Sequence, residues 1–404
     1  MNNVFIHELG QLPLDERPLE ITERKGLGHP DSITDSIMNQ VSIDLSTEYM
    51  KRFGNIYHHN LDKGLWAAGE TQVAFGGGKV VKPILVVYGD RATFKVGSEE
   101  VPVNEIAVKS TKNWIRKNLR FIDPDVHVRY QSEIKPGSAA LQDIFGRKKK
   151  GEFLGANDTS AAIGFAPYSS HEKLILSLEK YLNSKEFKKE HPESGEDIKI
   201  MGLRRGKSVD LTVAIAFVDR FIKNEDDYFK KKAEINEAIN VFIDDKGGFD
   251  KVNVVLNALD AKGRGLDGLY LTVLGTSGEA GDSGQVGRGN NVRGVIALLR
   301  PMSSEAAAGK NPVSHVGKIY NLLTYKMADR IVAEVPGVRE TYVWLLSQIG
   351  RPINEPSVVS AQVIPDKGVA LKSLQLSIEE IIADEFEHLD DFCSALADGH
   401  INLR

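Results

Sequence analysis

The chain has 404 residues, 41% hydrophobic and 26% charged, which suits a soluble globular protein of two or three subdomains rather than one core. Its 51 basic and 56 acidic side chains leave a net charge of −5, so no broad nucleic-acid-binding surface is expected. The single cysteine, Cys393, excludes an internal disulfide framework, and the absence of a signal-like N-terminus or a run of about 18 apolar residues points to a cytoplasmic protein without a membrane span.

In chain order, the first clear element is a helix over 32–53. Ile33, Ile37, Val41, Leu45 and Tyr49 recur at a four-residue spacing, and Gly54 ends the pattern. Short β-branched runs with glycine punctuation predict two or three strands over 65–94. A helix is expected over 105–119 and a strand in VHVRYQSEI, 126–134. Residues 135–152, with Pro136, Gly137 and the basic run 147–150, read as a long mobile loop, either a solvated turn or a lid over an anion. A long helix follows over 170–189. Two strands then flank a basic turn at 204–207, and another helix covers 226–245. KVNVVLNALD and LYLTVLG read as strands, and 312–334 reads as a helix broken at Gly317. Strands and helices come in blocks rather than in a steady alternation, which predicts an α+β fold.

Three motif matches are set aside. GRGLDG, 263–268, has the spacing of a dinucleotide fingerprint, but a strand pattern rather than a helix follows it, so a hairpin turn is expected. AAAGKNP, 306–312, has the Gly-Lys of a phosphate loop, but Asn311 stands where the Mg²⁺-binding hydroxyl belongs. GDSG, 281–284, is too short to signify a protease. What remains is a set of polar, glycine-rich loops. Residues 275–291 carry six glycines with Glu279, Asp282 and Arg288 among them, a composition that lets backbone amides approach an anion closely. Arg300, Lys310, His315 and Lys318 follow, and Asp158 lies in a third such loop, 155–167. Near the N-terminus, Gly28-His29-Pro30-Asp31 opens the first helix. Pro30 suits its first position and Asp31 the positive end of its dipole. Helix-start chemistry does not account for His29, flanked by Gly28 and preceded by Arg24 and Lys25, which stays open between structure and function.

Together, GHPD (28–31), GANDTS (155–160), GDSGQVGRGN (281–290) and AAAGKNPVSHVGKIYN (306–321) resemble, in order, the motifs of the S-adenosylmethionine synthase family, in its archaeal-type branch. The resemblance spans most of the chain. It implies three similar α+β subdomains of mixed sheet and helices, with pseudo-threefold symmetry, interleaved into one catalytic unit over 1–404, and an active-site loop at 135–152. It implies joining of ATP and L-methionine: the sulfur attacks C5′, triphosphate leaves, and the same site splits it to pyrophosphate and phosphate. Mg²⁺ is the implied cofactor, with K⁺ as activator, and a homodimer or homotetramer with active sites at the dimer interface is the implied assembly.

By the same resemblance His29, Arg288 and Lys310 are catalytic and Asp31 binds the metal. Asp158, Asp282, Gln131 and Glu70 are substrate-binding, as is Lys207 in RRGKSV. Departures are Ser32 and Gly289, where other branches carry lysine, and VSHVGK, which is one residue longer and leaves His315 and Lys318 as alternatives for a second phosphate-binding lysine. The metal-binding aspartate that ends that segment elsewhere has no clear counterpart here.

Overall fold

The computed structural model describes residues 3–137, 145 and 153–403. Three units in it share one plan: helix, strand, antiparallel strand, helix, and a closing strand parallel to the second. The first unit runs through the helix Pro30–Phe53, the strands Leu65–Ala67 and Ile84–Ala92, the helix Val103–Asn118 and the strand Val128–Pro136. The second uses Ser170–Leu182, Ser194–Arg205, Ser208–Val218, Glu225–Lys246 and Lys251–Leu256. The third uses Val316–Glu334, Val338–Leu346, Val358–Pro365 and Leu371–Glu387, and its closing strand, Val4–Glu8, comes from the N-terminus.

The units are interlocked. The strand ahead of each unit's first helix pairs with the first strand of the following unit's sheet. Leu19–Lys25 precedes the first unit and pairs with Ser194–Arg205. Ala161–Ala166 precedes the second and pairs with Val338–Leu346. Gly284–Gln285 precedes the third and pairs with Leu65–Ala67. The fold is thus α+β with three similar mixed sheets in cyclic order, and no sheet is completed by its own stretch of chain.

The hydrophobic stripe of the first helix is the buried one: Ile33, Ile37, Val41, Leu45 and Tyr49 all lie in the core. Where the sequence expectation differs, capping chemistry explains it. The helix expected over 170–189 is two, Ser170–Leu182 and Lys185–Glu190, because Ser184 leaves helical geometry and its hydroxyl accepts from Phe187 N–H. The break expected at Gly317 is absent. The helix starts at Val316, and Gly317 lies in its first turn. The region 65–94 holds four strands of three or more residues, and in LYLTVLG only Leu271–Thr272 form a strand. GRGLDG is a turn with a short 3₁₀ segment, Gly265–Gly268, but no hairpin, since the strands on either side both run parallel to Ser208–Val218. Of the expected mobile loop, 138–144 and 146–152 lie outside the described residues, while Lys135 and Pro136 end a strand. Among the described residues no helix is long and apolar enough to cross a membrane.

Two buried cations carry structural weight. Arg300, noted in the sequence among the cations that follow the glycine-rich loop, is fully enclosed. It donates to both oxygens of Glu172 at 2.9 and 3.0 Å, to Pro167 O and to the Tyr342 hydroxyl, and it stacks on Phe165. It ties a second-unit helix to the third-unit sheet. Lys188 donates to Ser194 Oγ and Gly195 O, and burial holds its ammonium down to about 7.

Arg300→Met leaves the Glu172 carboxylate buried without its partner, so unfolding free energy should fall by about 3–5 kcal/mol. Exposed Arg205→Ala should change it by less than about 0.5 kcal/mol, both read from denaturant midpoints. Lys188 binds fewer protons folded than unfolded between pH 7 and its ordinary 10.5. The penalty for its charge is therefore complete below pH 7 and is relieved as pH rises. Wild type should gain stability relative to Lys188→Met between pH 7 and 10, as followed by chemical denaturation across that range.

Candidate active site

The start of the first helix is held by three pieces of backbone. Gly28 N donates to Glu196 O, and a Cβ on Gly28 would lie 2.4 Å from the Glu196 carbonyl carbon. A Cβ on Gly284 would lie 2.1 Å from Pro30 O. These glycines thus let the loop 26–29, the head of the strand Ser194–Arg205 and the glycine-rich loop press together. The room at Gly28 is filled by protein backbone.

His29 is the N-cap of this helix. Its Nδ1 accepts the Asp31 N–H at 3.2 Å, which leaves Nε2 to carry the proton of the neutral ring. Asp31 is buried. One carboxylate oxygen accepts from Lys25 Nζ at 2.9 Å and the other from Gln285 N at 2.9 Å. Lys25 Nζ also donates to Arg288 O, so the cation bridges the helix start and the glycine-rich loop. Arg24 is committed elsewhere: it forks onto Glu179, whose other oxygen accepts from Leu27 N. Asp282 and Arg288 are exposed on the loop surface. Glu70, also exposed, is joined to the same loop through neighbours, Ala68 N to Ser283 Oγ and Thr71 Oγ1 to Glu279.

This first cluster contains groups the sequence reading did not single out. Asp197 accepts from both Ser277 N and Oγ, and burial, with the Asp282 charge nearby, raises its carboxyl to about 6. Glu279, named in the sequence only as one more loop carboxylate, is raised to about 7 by burial. Lys199 is paired in register with Lys25 and forms an ion pair with Glu23 at 3.1 Å. The only sequence signal for Asp197 and Lys199 was strand alternation, which says nothing of the neighbouring strand. Lys207 is placed elsewhere: it sits exposed in the hairpin turn at the opposite end of the same strand pair.

A second cluster surrounds Lys310. Its Nζ meets Glu305 at 2.5 Å and Asp62 at 3.1 Å, with the lysine nearly buried. His315 caps its helix as His29 does, with Nδ1 accepting Gly317 N–H at 3.2 Å, and burial holds the ring down to about 3, hence neutral. The two histidines occupy matching positions in the first and third units. Lys318 turns inward, donating to Asn39 Oδ1 and lying 3.4 Å from Ser42 Oγ, with its ammonium lowered to about 7 by burial and by Lys310. Of the two alternatives left by the sequence, neither presents an exposed charge. Asp158 is exposed on a loop tied to Ser314 by Asn157 N and Gly155 O. Gln131 lies exposed on the strand Val128–Pro136, bonded to Glu133.

The two clusters share the first helix. Asp31 marks one, and Ser42, whose hydroxyl donates to Lys310 O, marks the other, about 16 Å further along the axis. Among the described residues no group of three or more His, Cys, Asp and Glu side chains could by itself hold a metal. Asp31, with its oxygens engaged by a lysine and an amide, fits Mg²⁺ only in the mode where one or two carboxylates share the ion with bound phosphates.

Residues 2–400 match the family model described as S-adenosylmethionine synthetase (AdoMet synthetase). The chain is 48% identical to the S-adenosylmethionine synthase of Thermococcus onnurineus (strain NA1) over 381 residues, covering 94% of this chain and 93% of that one. It is 44% identical to the S-adenosylmethionine synthase of Hyperthermus butylicus over 408 residues, covering 99% of each. Among solved structures, an unusual S-adenosylmethionine synthetase from Campylobacter jejuni aligns over 95% of this chain and 94% of that one. Its TM-score is 0.60 at 17% identity, a likeness of fold. With the motifs in order from 28 to 321 and the family match over 2–400, the protein belongs to the S-adenosylmethionine synthetase family and is a methionine adenosyltransferase, making S-adenosylmethionine from ATP and methionine.

Proposed function

We propose that His29 is the catalytic group of the transfer step. The observation that carries this reading is its fixed ring: Nδ1 is engaged by the Asp31 amide, so Nε2–H is the donor at the N-terminus of a 24-residue helix. As the methionine sulfur attacks C5′, the C5′–O bond breaks and negative charge gathers on the departing triphosphate oxygen. A preorganised N–H aimed at that oxygen stabilises charge where it develops. The helix terminus and Lys25, with Arg288 at the loop surface, supply the field that holds a polyphosphate there. Water then splits the retained triphosphate to pyrophosphate and phosphate in the same site.

Asp31 would hold Mg²⁺ together with the phosphates. When bound, the ion supplies charge neutralisation along the chain of phosphates. K⁺ is proposed as an activator on the resemblance alone. Asp282, Glu70 and Asp197 would face the methionine and nucleoside portions.

The 16 Å between clusters supports a further part of the reading. Lys310, Asp158 and Gln131 would serve the His29 cluster of a second subunit, in an isologous dimer whose two-fold axis brings each cluster against the other subunit's partner cluster. Paired dimers would give a tetramer. The assembly is proposed to work in the cytoplasm.

His29→Ala should lower kcat by roughly 10²–10³ with an unchanged circular dichroism spectrum and melting curve. Loss of folding in parallel with loss of rate would make His29 a structural cap only. Inactive His29→Ala and Lys310→Ala chains, mixed and refolded together, should recover roughly a quarter of wild-type activity, because half the dimers would hold one intact site. No recovery would place both residues in a site built from a single chain.

A further inference from the structure

Lys310 is held by groups that the motifs do not include. Asp62 Oδ2 lies 3.1 Å from its Nζ, while Asp62 Oδ1 accepts from Lys63 at 2.7 Å. The backbone is clamped at the same point: Lys310 and Asn60 form an isolated β-bridge, and Leu61 N donates to Gly309 O. Asp90 completes the arrangement. Its carboxylate lies 3.9 Å from Lys63 and accepts from Asn60 Nδ2, and its backbone is left-handed at φ 86°, a conformation that an aspartate inside a strand seldom adopts. Asp62, Lys63, Asp90 and Asn60 therefore form one network whose inner end is the Lys310 ammonium.

We propose that Asp62 is a positioning residue for transfer, holding Lys310 charged and aimed through the pH range in which the enzyme works. This rests on the reading that Lys310 grips the polyphosphate. An ammonium with 3% of its side chain exposed needs a buried counter-charge, and Asp62 is the more buried of its two carboxylate partners. Lys318 is a second buried lysine, and His315 is a neutral ring. Glu305, the remaining partner, is one-third exposed. Asp62 can carry this task because it stays ionised. Burial pushes its carboxyl up, but Lys310, the hydrogen bond with Asp90 and Lys63 more than offset this and hold it well below the usual range. Asp90 takes the opposite part. Burial and the adjoining Asp62 raise it to about 6, with Lys63 and Arg91 opposing, so on acidification the pair's first proton settles on Asp90. The polyphosphate, which needs the outer side of the ammonium, then meets a lysine already fixed from behind.

The test compares wild type, Asp62→Asn, Asp62→Asn with Lys310→Arg, and Lys310→Ala. Turnover of ATP and methionine with Mg²⁺ and calorimetric binding of inorganic tripolyphosphate are both measured from pH 6.5 to 9. The Asp62→Asn rate and affinity, each divided by the wild-type value at the same pH, should fall by about tenfold or more across that range as the ammonium, left with only the part-exposed Glu305, loses its proton. With Arg at 310 the ratio should stay level, because a guanidinium keeps its charge. A ratio for Asp62→Asn that is constant with pH, whether near one or uniformly low, would overturn the inference, since a packing defect has no reason to follow pH. Tripolyphosphate binding that Lys310→Ala leaves at the wild-type level would remove the phosphate role of Lys310, and the inference with it.

Discussion

The structure turns on contact between backbones that only glycine permits. At Gly28 the loop ahead of the first helix lies against the head of a strand from the second unit, with no space for a side chain. At Gly284 the glycine-rich loop lies against Pro30 itself. A methyl group at either point would have to push main chain aside, and protein interiors lack the free volume to absorb that. Because these contacts fix the helix start, they fix His29 as its cap, Asp31 in its first turn and Lys25 across from both. The orientation of the His29 ring is thus set by main-chain packing.

The cyclic exchange of strands is what brings those backbones together. Leu19–Lys25 leads into the first helix yet belongs to the second sheet, and Gly284–Gln285 leaves the second unit to join the first sheet. Each crossing places a loop from one unit on the helix N-terminus of another. The same plan accounts for the likeness of His29 and His315, each capping the first helix of its unit through Nδ1. Their surroundings separate them. His29 has Lys25 and Asp31 beside it, whereas His315 is held neutral by burial, with Lys310 and Lys318 adding to that effect.

Buried charge in this protein divides into two kinds. Arg300 and Arg24 have their donors met by carboxylates and carbonyls, so they brace the frame. Lys310 also meets carboxylates, but in a network that includes a left-handed aspartate and a second lysine, an arrangement a brace would not require. Counting cations along the sequence cannot distinguish these cases, since Arg300 and Lys310 stand in the same run of residues. What distinguishes them is the geometry of partners drawn from other units.

Much of the fold was legible in the chain. The four-residue stripe from Ile33 to Tyr49 dictated a helix, and glycine and β-branched runs marked the main strands of the first two units, because these patterns depend on neighbours a few residues away, whereas Leu19–Lys25, Ala161–Ala166 and the third unit's strands and last helices went unread. Pro30 and Asp31 announced a helix start for the same reason, and ordered motifs named the family. Ser184 went unread as a second cap, since one hydroxyl inside an amphipathic stretch is a weak local signal. The sequence by itself thus determined many of the elements and the family, and it put His29, Asp31, Arg288 and Lys310 forward as candidates for a reactive set. Only the tertiary structure decided that Lys207 lies at the far end of its sheet, that Asp197 and Lys199 adjoin the helix start, that Lys318 faces inward, and that Asp62 stands behind Lys310. The physical reason is range: helix periodicity and capping act over one or two turns, whereas burial and ion pairing depend on which distant strand lies alongside.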